Sequence, residues 1–307
     1  MAWAHQPVLY HEVLRALRPY SPGRYVDGTV GAGGHAFGIL DASSPAGLLL
    51  GLDVDPEALR LAADRLASFG GRVILRRASY ATLTEQLHAV GWEAVDGILL
   101  DVGLSSMQVD TPERGFSFRE DAPLDMRFDP EQPLTAADLV NTLDEQALAD
   151  LLWRYGEERR SRQVARAIVR HRPIYTTRRL AEVVAAATSA GRRGMHPATR
   201  TFQALRIAVN RELENLEAVL PQAVEALAPG GRLAVIAFHS LEDRIVKRFL
   251  RAASGYCSCP PERPWCECDA SARLRLLRPF PIRPTAEEVA ANPRARSARL
   301  RVAQKLA

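Results

Sequence analysis

The segment Val26-Asp27-Gly28-Thr29-Val30-Gly31-Ala32-Gly33-Gly34-His35 constrains this chain more than any other. It follows a short apolar run at 24–27 and leads into a helix-like pattern at 34–42. Glycines at such a junction let the backbone turn sharply and approach a ligand closely, and the helix behind them presents N–H groups that have no acceptor within the helix. Further apolar runs at 48–53, 73–75 and 95–101 alternate with helix-like segments near 56–69 and 80–90. Alternation of this kind predicts an α/β fold with a mostly parallel sheet and helices on both faces.

The pattern changes after Asp101. Residues 107–133 are rich in Pro, Asp, Arg and Gly and read as a long ordered loop, followed by helical stretches near 135–155, 158–171 and 178–190. Pro197 suits a first helical turn, where its missing N–H costs nothing. From there Phe202, Leu205, Val209, Leu213, Leu216 and Leu220 recur at three and four, which predicts one long helix reaching Leu220. The α/β pattern resumes with a strand at 232–238 after the turn Ala-Pro-Gly-Gly. Ser240 with Asp243 reads as a helix N-cap, and 273–277 and 299–303 as a final strand pair. The expected organisation is a catalytic domain of residues 1–107 and 206–307, interrupted by a helical insertion at 108–205.

In an open α/β sheet the ligand lies at the carboxyl ends of the strands. Asp53 ends the second strand, twenty residues beyond Gly33, where a carboxylate can accept hydrogen bonds from both ribose hydroxyls of an adenosine. Gly31-x-Gly33-x-x-Ala36 also satisfies a dinucleotide fingerprint, so a nicotinamide oxidoreductase stays open on the loop alone. Two features favour S-adenosylmethionine. Asp27 ends the first strand where a carboxylate can meet an ammonium group, and seven residues separate it from His35, with a third glycine at Gly34.

Asp101 ends the fourth strand on the same edge, with Gln108 close behind it. An exocyclic amine is a poor nucleophile because its lone pair is delocalised into the ring. A carboxylate that accepts its proton in a hydrogen bond enriches the nitrogen and holds it in line with a sulfonium methyl. Asp101 is the candidate catalytic residue; an Asp before a turn also commonly caps that turn. Many amine methyltransferases carry an Asn- or Asp-Pro-Pro-aromatic motif here, whereas this chain has Asp-Val-Gly-Leu. No cysteine lies near the edge, which counts against carbon-5 methylation through a thiolate. His239 and Ser240 sit at the end of the fifth strand, where His239 can touch a target base or simply bond to a neighbouring loop.

Charge is unevenly spread. Residues 1–153 hold 11 Arg against 22 Asp and Glu, and residues 154–211 hold 14 Arg against 3 Glu. Such a basic block suits a polyanion, with Arg159, Arg160, Arg162, Arg166, Arg170 and Arg172 in one helical region; a solvated face paired with Glu157 and Glu158 is the other reading. The four cysteines, Cys257, Cys259, Cys266 and Cys268, fall in one stretch. Their Cys-x-Cys spacing departs from the usual zinc knuckle, so no metal is assigned. Confinement of cysteine to that stretch, with no basic-then-apolar leader and no membrane-length apolar run, points to the cytoplasm.

Several segments are together specific enough to carry a resemblance. They are Asp27-Gly-Thr with Gly-Gly-His at 33–35, Leu-Leu-Asp-Val-Gly-Leu-Ser-Ser at 99–106 and Arg-Gly-Phe-Ser-Phe at 114–118. They continue with Pro-Leu-Asp-Met-Arg at 123–127, Tyr-Gly-Glu-Glu-Arg at 155–159, His-Pro-Ala-Thr-Arg-Thr-Phe-Gln-Ala at 196–204, Phe-His-Ser-Leu-Glu-Asp-Arg at 238–244 and Asn-Pro-Arg-Ala-Arg-Ser at 292–297. With these the chain resembles, from about His5 to Lys305, the bacterial 16S ribosomal RNA cytosine-N4 methyltransferases. The resemblance implies a Rossmann-like class I methyltransferase with an inserted all-helical RNA-recognition domain, acting on a cytosine in the decoding region of 16S ribosomal RNA in the small subunit. It implies cofactor contacts at Gly33, Gly34, His35, Asp53, Asp101 and Gln108, with Tyr80 where the family usually has Phe, as a ring beside adenine. It leaves open the oligomeric state, a homodimer included. A ribosome-assembly factor whose methyl transfer is secondary is the alternative from another functional class.

Overall fold

A computed structural model describes residues 7–188, 196–256, 259 and 271–307. The chain forms two compact units, one of Met1–Gly103 with Leu213–Ala307 and one of Leu104–Glu212. In the first unit α1 (Tyr10–Leu17) precedes β1 (Arg24–Asp27), α2 (Gly34–Ala42), β2 (Leu48–Asp53), α3 (Pro56–Leu66), β3 (Val73–Arg77), α4 (Leu83–Ala89) and β4 (Val95–Asp101). The chain then enters the second unit, with α5 (Ser106–Asp110), α6 (Ala136–Thr142), α7 (Glu145–Gly156), α8 (Ser161–Arg170), α9 (Thr177–Ala187) and α10 (Thr199–Asn210). It returns through α11 (Glu212–Ala226) to β5 (Leu227–Ala237), α12 (Ser240–Ala253), β6 (Leu274–Leu276), α13 (Ala286–Ala291) and β7 (Arg299–Lys305). No helix among the described residues is long and apolar enough to cross a membrane.

The strand order is β3-β2-β1-β4-β5-β7-β6. Strands β1 to β5 pair in parallel, while β7 runs antiparallel to both β5 and β6, as expected for the pair at 273–277 and 299–303. Successive strand side chains point to opposite faces, and the core follows that rule. Val26, Leu50, Ile98, Leu100 and Val235 pack on one face with α4, α11 and α12. Tyr25, Leu49, Leu99, Ile236 and Leu300 pack on the other with α1, α2 and α3. Both faces are covered, which is why the strands read as continuous apolar runs. The winding reverses between β1 and β4, so their carboxyl ends splay and leave a crevice.

The fifth strand begins earlier than its apolar run suggested. Val95 pairs with Leu227 and Gly97 with Arg232, so the Ala-Pro-Gly-Gly turn is a bulge within β5. The predicted long helix from Pro197 to Leu220 is two helices. Arg211 adopts a left-handed conformation (φ 51°) that ends α10, and α11 starts at the next residue. Apolar spacing continues across the break because α10 and α11 each bury a face, one in each unit.

The second unit has its own core, with Leu148 and Leu152 of α7, Val164 and Ile168 of α8, Leu180 and Val184 of α9 and Leu205 of α10. The ordered loop before α6 is tied to it by Asn210. Its Oδ1 accepts the Phe128 N–H at 2.7 Å, and its Nδ2 donates to the Met126 carbonyl at 2.7 Å. Arg127 grips Asp125 with two bonds of 2.9 and 2.7 Å. Residues of the Pro-Leu-Asp-Met-Arg segment therefore build the loop itself.

Candidate cofactor site

The glycine loop is held from three sides within the first unit. Gly28 N–H donates to the Leu99 carbonyl and Val30 N–H to the Leu52 carbonyl, each at 2.9 Å, which pins the loop to the strands flanking β1. Gly31 N–H donates to Asp53 Oδ2 at 2.9 Å. Thr29 Oγ1 accepts the Asp101 N–H at 2.7 Å, joining the loop to the end of β4. Gly31 and Gly33 have positive φ, 50° and 78°, which a side chain disfavours. Gly33 is the N-cap of α2, and a Cβ there would lie 3.3 Å from the Ala62 backbone of α3. Glycine at these two positions lets the loop turn tightly and lie close against α3 without strain.

The residues carried over by resemblance, Gln108 apart, converge on this crevice. Gly33 and Gly34 open α2, and His35 lies in its first turn, buried and stacked on Tyr10 at 6.1 Å. His35 Nε2 is 3.6 Å from Asp101 Oδ2. Asp53 closes β2, with Oδ1 accepting the Asp55 N–H at 3.0 Å. Tyr80 begins the short 3₁₀ turn after β3, and its Cβ lies close beside Gly28. Gln108 belongs to the second unit. There its side-chain oxygen accepts the Ser105 N–H at 3.2 Å, while Ser105 Oγ accepts the Gln108 N–H, closing a capping box on α5.

Electrostatics mark the crevice. Burial pushes the Asp27 carboxyl up to about 7, opposed by His35 and the Thr29 N–H and reinforced by Asp101 and Asp53. Burial likewise raises Asp53 to about 6, opposed by the N–H bonds from Asp55 and Gly31. Asp27 is 1% exposed and accepts the Thr29 N–H at 3.1 Å, so it braces the loop from within. Both ring nitrogens of His35 and Oδ1 of Asp101 are buried with no hydrogen-bond partner among the described residues. Buried polar atoms are nearly always paired, so such a cluster beside an open glycine loop fits a polar ligand that supplies the missing partners.

The model of the MraW methylase family matches residues 2–306. The chain belongs to the MraW methylase family. Proteins named Ribosomal RNA small subunit methyltransferase H are similar throughout. The one from Dehalococcoides mccartyi is 52% identical over 99% of this chain and 87% of its own length. That of Thermomicrobium roseum is 51% identical over 100% and 95%, and that of Heliobacterium mobile 50% identical over the whole of both chains. Membership in the MraW family makes the chain a methyltransferase with S-adenosylmethionine as its cofactor and removes the nicotinamide reading of the Gly31 and Gly33 spacing.

The structure adds and corrects particular residues. Thr29, which couples the loop to Asp101, was visible in the sequence only as the third residue of Asp-Gly-Thr. The N-cap of α12 is His239, one residue before the expected Ser240. Its Nδ1 accepts the Glu242 N–H at 3.4 Å, and Glu242 Oε2 accepts the N–H groups of Phe238 and His239 at 2.8 and 3.1 Å. Glu242 is thus a buried brace for the end of β5, a role that no periodicity announces. Arg172 leaves the expected basic face, because its guanidinium donates to the carbonyls of Val140 and Leu143. Of the cysteines, Cys257, Cys266 and Cys268 lie outside the described residues, and Cys259 is half-buried.

Proposed function

We propose that this chain transfers a methyl group from S-adenosylmethionine to N4 of a cytosine in the decoding region of 16S ribosomal RNA. One observation carries the reading. In a member of the MraW family, the glycine loop, Asp53 and Asp101 meet where the sheet winding reverses, and Asp101 keeps a buried carboxylate oxygen unpaired. The relatives named as small-subunit ribosomal RNA methyltransferases supply the substrate class.

S-adenosylmethionine supplies an electrophilic methyl group on a sulfonium. The backbone of Gly31, Gly33 and Gly34 and the first turn of α2 cradle the methionine portion. Asp53 accepts hydrogen bonds from the ribose hydroxyls, using the second lone pair of each oxygen, since the first takes a backbone N–H. Tyr80 would lie against the adenine, and His35 forms the wall between α2 and Asp101. Asp101 accepts a hydrogen bond from the cytosine amino group. This makes the nitrogen more electron-rich, holds it in the orientation that attack on a methyl group requires, and gives the departing proton a base. With the cofactor bound, its methyl group would pass from sulfur to that nitrogen, and Asp101 would take the proton that the nitrogen loses.

The second unit is assigned to the RNA. Arg159, Arg162, Arg166 and Arg170 are exposed along one side of α8 and the residues before it, while Val164, Ala165 and Ile168 face the core. Arg166 also reaches Glu145 at 3.2 Å, on the surface, where a bond to a phosphate readily replaces it. Small ribosomal subunits are the substrate context, which puts the reaction in the cytoplasm. The test is Asp101→Asn. Turnover with small subunits falls by roughly 10²–10⁴, while S-adenosylhomocysteine still binds within a few-fold of the wild-type affinity. Undiminished turnover would remove Asp101 from the chemistry.

A further inference from the structure

A second cavity lies at the carboxyl end of β5, outside the glycine loop and within the first unit. It encloses about 280 Å³ and is lined by Phe238, His239, Ser240, Arg283, Arg296 and Arg299, among others. Rigid pieces of backbone bring the three arginines together. Ile282 pairs with Leu300 through two backbone hydrogen bonds of 2.8 and 2.9 Å, which sets Arg283 beside β7. Arg296 lies in a 3₁₀ turn, Pro293–Ser297, whose N-cap Asn292 accepts the Arg294 N–H at 3.2 Å and whose Ala295 is fully buried. Arg299 starts β7 opposite Ala237 and donates to Asp243 Oδ2 at 2.6 Å.

The charges in this cavity are unbalanced. Asp243 is the carboxylate that meets Arg299, and Arg301 grips the same group at 2.7 and 3.0 Å. Arg283 and Arg296 are exposed and pair with no carboxylate among the described residues. Two unpaired guanidinium groups facing a polar concavity form an oxyanion site, because each offers a planar fork that matches a phosphate. The position is informative as well. Asp101 pairs with Ile236 on β5, and Ala237 with Arg299 on β7. The cavity is therefore about two strand spacings, roughly 10 Å, from the strand end that carries Asp101.

We propose that this pocket binds a backbone phosphate of the RNA strand beside the target cytosine. Contacts to phosphate fix register without reading sequence. Here the contact sets which nucleotide reaches Asp101. The inference rests on the RNA-methylation reading above.

The test compares Arg283→Gln/Arg296→Gln with a charge-matched control, Arg15→Gln/Arg60→Gln, using small subunits that lack their own methylation. The pocket variant raises KM about tenfold and lowers the slope of log affinity against log salt by up to about 0.7, the share of one phosphate. It binds S-adenosylhomocysteine as the wild type does, which also shows that it is folded. Arg283→Lys/Arg296→Lys restores the slope, and the control keeps wild-type values. Wild-type KM and slope in the pocket variant, with an active wild type, would overturn the pocket and leave the methylation reading standing. Loss of inhibition by inorganic phosphate with an unchanged slope would assign the pocket to a free anion and overturn the RNA-backbone assignment. A wild type that transfers no methyl to subunits would remove both readings.

Discussion

In the proposed cofactor site, Asp53 has two sets of hydrogen bonds to accept. Its oxygens already accept the N–H groups of Gly31 and Asp55, and burial raises its pKa to about 6. Only the ionised form offers all its lone pairs to ribose hydroxyls. Cofactor affinity should therefore rise with pH, gaining about tenfold per unit below 6 and levelling off above it. The same shift has the opposite sign for the unliganded fold. A carboxyl whose pKa is raised on folding binds more protons folded than unfolded, so its contribution to stability falls as pH climbs from about 4 to about 6. Calorimetric titration of S-adenosylhomocysteine between pH 5 and 8 checks the first effect. Asp53→Ala should weaken binding by about 10–100-fold and flatten the profile. A flat wild-type profile would show that the ribose is held elsewhere.

The βα unit from β1 to α2 is where sequence and structure agree best. Its strand, loop and helix are local in the chain, and each glycine has a backbone reason. Gly33→Ala should cost about 1–2 kcal/mol in urea denaturation, because φ 78° is disfavoured and the new methyl meets α3. A change under a few tenths would mean that the loop relaxes freely. The strand ends that carry Asp53 and Asp101 were likewise readable, because a parallel sheet buried on both faces leaves continuous apolar runs that stop at the crevice. Readability failed where a distant partner decides the local conformation. Arg211 adopts a left-handed conformation between two helices whose apolar spacing runs on uninterrupted, so nothing nearby announces the break. His239 takes the cap from Ser240 because buried Glu242 reaches back to its N–H. Arg172 counted toward a basic face until the carbonyls of Val140 and Leu143 claimed it.

Across the whole molecule, the charge blocks of the sequence do not follow the two units: 11 of the 22 carboxylates of residues 1–153 fall at 104–153, in the second unit with the basic block, so what that unit offers a polyanion is local, the arginine side of α8. Replacing Arg159, Arg162, Arg166 and Arg170 with Gln should weaken binding to small subunits by more than tenfold at low salt. The salt slope should fall by up to about 0.7 for each phosphate that an arginine no longer neutralises. Binding of S-adenosylhomocysteine should stay at the wild-type value, because none of these arginines is among the proposed cofactor contacts. Filter binding across a salt series reads both quantities. An unchanged slope would return these arginines to a solvated helix face and place the RNA-binding surface elsewhere.

The most direct measurement is methyl transfer from labelled S-adenosylmethionine to small ribosomal subunits that lack their own modification, with the labelled nucleoside identified after digestion. The account predicts label in N4-methylcytidine at a single position in the decoding region, and its loss with Asp101→Asn. Label in any other nucleoside, or none in subunits despite normal cofactor binding, would contradict it.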